Sequence, residues 1–128
     1  MEIKTIEERK TTKPIQKRCV DLVEEKYQDR LKQFEKAKKE EKDFFVYVNE
    51  AGLSFDRVEA GTFKGQKAGY WRWQLSWGGP ADEFRLFDNG DLEYWYLDWF
   101  DGACVKVKDE IFENIMANFK ELSGDACQ

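Results

Sequence analysis

The chain has 128 residues, 41% hydrophobic and 37% charged, with a net charge of −5; that suits one domain with a real core and is too short for two. It holds no histidine, which excludes His-based triads, the commonest general base near neutral pH and every Cys/His zinc pattern. No apolar run approaches the roughly 20 residues that span a bilayer, so no membrane partner is expected.

Residues 1–12 show no clear period. Thr11-Thr12-Lys13-Pro14 reads as a helix start, with a threonine cap and a proline in the first turn. Ile15, Cys19, Val20, Val23, Tyr27, Leu31 and Phe34 then recur at steps of three and four, one stripe of a helix. Phe44, Phe45, Val48 and Ala51 continue that spacing, although Phe44–Val48 also has high strand preference. An unbroken helix from 14 to 51 would be about 57 Å long, so a break is expected around Lys38–Asp43. Gly52 fits the left-handed residue that closes a helix.

Past Gly52 the pattern changes to strands. Leu53–Glu59 is the first, followed by a glycine-rich turn through Gly61, Gly65 and Gly69. Tyr70–Trp77 alternates, with Trp71, Trp73, Leu75 and Trp77 on one face. Gly78-Gly79-Pro80 breaks it, and Glu83–Phe87 resumes. Asp88-Asn89-Gly90-Asp91 predicts a tight hairpin. Leu92–Phe100 is apolar on both faces, the mark of a central or doubly covered strand. Asp101-Gly102 is read as the next turn and Cys104–Val107 as a short strand. Ile111, Phe112, Ile115, Phe119 and Leu122 are the stripe of a last helix that Gly124 would stop.

The expected fold is α+β. N-terminal helices (1–52) and a C-terminal helix (108–122) pack on one face of a four- to five-stranded antiparallel sheet (53–107), all in a single domain of residues 1–128.

Cys19, Cys104 and Cys127 have no Cys-x-x-Cys spacing and read as free thiols in a reducing compartment. The N-terminus lacks the apolar stretch of a signal peptide, and a cytoplasmic protein is expected. Residues 1–42 carry thirteen basic against ten acidic side chains; residues 43–128 carry eight against sixteen. The acidic part disfavours direct nucleic-acid binding, which needs lysine and arginine on phosphate. It favours a basic protein partner.

All five tryptophans fall between Gly69 and Ala103, beside seven carboxylates. Tryptophan and tyrosine anchor interfaces, and an exposed group of them among acids would make a binding face or a homodimer interface. Asp82, Glu83, Trp95, Asp98, Trp99 and Asp101 are the candidate partner-binding residues. Paired carboxylates beside aromatic plates also suit a carboxylate enzyme or a carbohydrate-binding module. No catalytic residue, cofactor or metal is assigned. Calcium and phosphate loops are absent from the sequence.

The strings Tyr70–Phe87 (YWRWQLSWGGPADEFRLF) and Glu93–Ala103 (EYWYLDWFDGA) resemble a family of small uncharacterised proteins carried by plasmids and phages. The resemblance spans about a third of the chain and brings no catalytic residues with it. It implies a mobile-element accessory role, such as inhibition of a host nucleic-acid-targeting defence complex (anti-CRISPR or anti-restriction). In that role an acidic surface would mimic nucleic acid.

Overall fold

The computed structural model describes residues 18–41, 43–99 and 101–126. The expected helix start at Thr11–Pro14 lies outside them, as does Ile15.

Helix α1 spans Cys19–Glu40 and α2 spans Phe44–Ala51, so the chain breaks where the length argument requires it. Asp43 caps α2, its side chain accepting the Val46 N–H at 3.2 Å. Cys19, Val23, Tyr27, Phe34 and Ala37 are the buried stripe of α1. Val20, expected on that stripe, faces solvent; steps of three and four from Cys19 reach Val23 and leave Val20 turned away.

Five strands follow in a meander: β1 (Ser54–Val58), β2 (Tyr70–Ser76), β3 (Pro80–Phe87), β4 (Leu92–Asp98) and β5 (Asp101–Lys106). All pairs are antiparallel and the spatial order is the chain order. Helix α3 spans Glu110–Ala126 and passes through Gly124, which therefore does not stop it; one glycine costs a helix only about 1 kcal/mol. Among the described residues no helix is long and apolar enough to cross a membrane.

The register places Phe55, Trp73, Phe84, Tyr94 and Val105 in one cross-strand row. That row faces the helices. Phe84 lies 4.4 Å from Phe112 of α3 between ring centroids, and Phe34 of α1 lies 5.3 Å from Trp73. Leu92, Tyr94 and Tyr96 are buried on this side, while Trp95 and Leu97 take the other. The opposite sheet face has no helix of the described residues on it.

Two turns differ from expectation. Asp98 and Asp101 are register partners, so Trp99 already lies in the β4–β5 connection and Asp101 already belongs to β5. Trp99 has φ 55°, the left-handed conformation that two-residue hairpins use. Gly52 has φ −89°, not the left-handed value expected of it. Its lack of a side chain serves another purpose: a Cβ there would overlap the indole nitrogen of buried Trp73. Gly52→Ala is therefore expected to lose about 1–3 kcal/mol by overpacking, read as a lower urea midpoint with an unchanged slope.

Candidate functional site

Alternate turns of a meander emerge at the same end of the sheet, so the β2–β3 and β4–β5 turns lie together. Pro80 and Asp98, which flank them, are register partners. Trp77 is 61% exposed and Trp99 84% exposed on these turns. A buried tryptophan contributes more apolar area than almost any other residue. Two left in water at one end of a small sheet are the most prominent apolar surface feature among the described residues.

A bulge explains Trp77. The register slips between Gln74 and Ser76, so Leu75 and Ser76 together oppose Asp82. The slip changes the phase of the alternation. Ser76 turns in beneath the helices, and Trp77, expected on the same face as Trp73, is carried out into solvent.

The inward turn of Ser76 builds the site of Asp82. The Asp82 carboxylate receives Arg30 Nε at 2.7 Å and Arg30 Nη2 at 2.9 Å, a bidentate pair across from α1. Tyr94 Oη donates to it at 2.6 Å and the Ser76 hydroxyl donates to its other oxygen. The Asp82 N–H in turn donates to Ser76 Oγ at 3.1 Å. Burial by itself would raise the Asp82 pKa, but the hydrogen bonds from Arg30, Ser76 and Tyr94 outweigh it and hold the carboxyl below its ordinary value. Burial and the neighbouring Asp82 charge push the Tyr94 phenol up. Above this floor lies an open groove of about 280 Å³ between α1 and the sheet, rimmed by Lys26, Asp29, Gln33 and Pro80.

The sign of the linkage follows. A carboxyl whose folded pKa is depressed stabilises the fold above its unfolded value, and that stability is lost as pH falls through the folded value. Wild type should lose stability as pH drops below about 5. Asp82→Asn should start less stable and show a shallower acid limb in the same pH series of urea melts.

Glu83, the next residue, projects from the opposite face. It is 4% exposed and accepts Arg85 Nε at 2.6 Å. Arg85 stacks with its guanidinium carbon 4.1 Å from the Trp95 ring centroid and 4.9 Å from that of Tyr70. Trp95 is half-buried in this stack, and its indole N–H donates to Glu93 at 2.9 Å. Asp101 accepts the Cys19 N–H at 2.7 Å and so ties β5 to the first turn of α1. The Cys19 N–H and the Arg18 side chain depress its pKa. Asp98 closes β4 and is half-buried.

The six candidate residues thus do not form one acidic face, and this corrects the surface read from the sequence. Asp82 and Glu83 are buried in ion pairs on opposite sides of the sheet, Trp95 belongs to a stack on the uncovered face, and Asp101 holds a helix. Trp99, with Asp98 beside it, is the member presented to solvent. Sequence reasoning missed Trp77, whose signal was the Gly-Gly-Pro that follows it, and Arg30, which sits 52 positions from its partner. Of the two adjacent acids the sequence offered to a carboxylate enzyme, Asp82 lies in the groove between α1 and the sheet with its pKa depressed and Glu83 faces the other side of the sheet. Among the described residues no group of three or more Cys, Asp or Glu is placed to hold a metal ion. Compared with known proteins, the chain matches no protein-family model, no curated protein and no solved structure.

Proposed function

We propose that this chain is a non-catalytic protein-binding module that docks through the sheet end bearing Trp77 and Trp99. The observation that carries the reading is their exposure, 61% and 84%, on turns at the same end of the meander. Exposed tryptophans on ordered turns are pre-positioned anchors that lose little conformational freedom on binding. Asp98 supplies negative charge beside them.

The proposal extends to a basic, nucleic-acid-handling partner in the cytoplasm and to inhibition of a host defence complex. The net charge of −5 and the resemblance to plasmid- and phage-borne proteins support that extension. Because Asp82, Glu83 and Asp101 are spent on internal pairs, the anchoring comes from the tryptophans and the remaining exposed acids act in steering.

The test is a tagged pull-down from host lysate at low and high salt, read by mass spectrometry, with wild type beside a Trp77→Ser/Trp99→Ser double variant. A basic protein captured by wild type and lost by the double variant supports the reading. Identical capture by both proteins overturns this placement of the interface.

A further inference from the structure

The uncovered face of the sheet carries a second feature, unrelated to the tryptophan end. The 59–69 segment folds over the start of β2 and leaves Tyr70 only 2% exposed. Between segment and sheet lies an open groove of about 410 Å³, lined by Phe63, Lys64, Lys67, Tyr70, Arg85 and Phe87 among others. This size falls within the range of small-molecule sites, about 300–1,000 Å³.

The lining is cationic and aromatic in an otherwise acidic protein. Among the described residues neither Lys64 nor Lys67 has a salt-bridge partner. Arg85 uses Nε on Glu83, and its two Nη atoms have no acceptor among the described residues. The guanidinium is packed over the Trp95 and Tyr70 rings and tied through Nε to Glu83, so its free edge is oriented before any ligand arrives. Phe63, which also lines the groove, is 51% exposed.

The segment itself is braced. Gln66 Oε1 accepts the Phe63 N–H at 3.0 Å, and Gln66 Nε2 donates to the carbonyls of Glu59 and Ala68 at 3.0 and 2.8 Å. Gly61 and Gly65 take φ of 83° and 79°, where other residues would be strained. The lysines therefore stand on an ordered rim.

We propose that this groove binds a small anion carrying a planar aromatic ring, of the nucleoside monophosphate class. Lys64, Lys67 and the Nη edge of Arg85 take the anionic group, and Phe63 with Phe87 takes the ring.

The test is calorimetry on the whole chain with adenosine monophosphate, adenosine and inorganic phosphate as separate probes. The nucleotide should bind saturably, and each half-probe should bind at least about tenfold more weakly, as expected when charge and stacking act together. Lys64→Glu/Lys67→Glu should weaken nucleotide binding by about tenfold or more and Phe63→Ser by a smaller factor. Both variants lie on the surface and should keep the wild-type urea midpoint. The Trp77→Ser/Trp99→Ser variant should bind the nucleotide as wild type does, so this site stands or falls separately from the docking end. No saturable heat with the nucleotide, or equal binding by the lysine variant, overturns the proposal. Binding of phosphate as tight as that of the nucleotide overturns its aromatic part.

Discussion

Asp82→Ala is expected to cost about 3–5 kcal/mol, because removing one partner of a buried pair strands the other. Arg30 would keep its charge, 24% exposed, with only Gln33 left to receive it. Tyr94 Oη and Ser76 Oγ would lose their acceptor in the same step, and each unsatisfied buried group adds its own desolvation cost. Small domains are stable by only about 5–15 kcal/mol, so the variant should sit near the edge of folding. With a urea slope of about 1–3 kcal/mol per molar, the midpoint should fall by about 2 M.

The second half of the cycle gives the test its force. Arg30→Met with Asp82→Leu removes both charges and fills their space with apolar groups. Exchanging a buried pair for apolar side chains is often neutral, so the double variant should recover much of the loss. Adding Tyr94→Phe removes the remaining orphaned hydroxyl on β4. If Asp82→Ala shifts the midpoint by no more than a surface substitution does, the pair is not the lock between α1 and β3 that its geometry describes.

That lock also shows why the sequence could be read for the fold and less well for the site. Local chemistry determined the elements. Asp88-Asn89-Gly90 makes the β3–β4 turn, closed by the Gly90 N–H on the Phe87 carbonyl at 2.9 Å, with Gly90 at φ 98°. Alternation along Leu92–Asp98 divides Tyr94 and Tyr96 from Trp95 and Leu97 correctly, because strand geometry allows no other division. The helix break near Lys38–Asp43 followed from length alone. Each of these signals lies within a few residues of its effect.

The site depends on what lies between elements. One bulge at Leu75–Ser76 reverses which side Trp77 takes, and a β-bulge has no fixed sequence mark. Proline at position 80 begins β3, where its missing N–H is tolerated; by spacing alone it reads as the end of a turn. Whether Asp82 and Glu83 are surface acids depends on Arg30 and Arg85, and only the folded chain brings Arg30 within reach. An acidic count therefore overstated the acidic surface, and a tryptophan count could not say that Trp77 would join Trp99 in solvent.

Trp99 combines exposure with strain, and those two facts predict opposite signs for stability and binding. Its φ of 55° is a conformation that costs an ordinary L-residue about 1–2 kcal/mol. Asparagine adopts it readily in tight hairpins. Trp99→Asn should therefore hold or raise stability, by up to about 1 kcal/mol, since at 84% exposure little packing is lost. The same change removes the largest anchor of the proposed interface. Truncating an anchoring tryptophan commonly costs 2 kcal/mol or more, so affinity for the captured partner should drop by about thirtyfold. Urea melts and calorimetry on one protein sample give both numbers. Stability that rises while affinity falls identifies a residue kept in an unfavourable conformation for the sake of a partner. Lower stability with unchanged affinity would make Trp99 a structural residue and move the interface elsewhere.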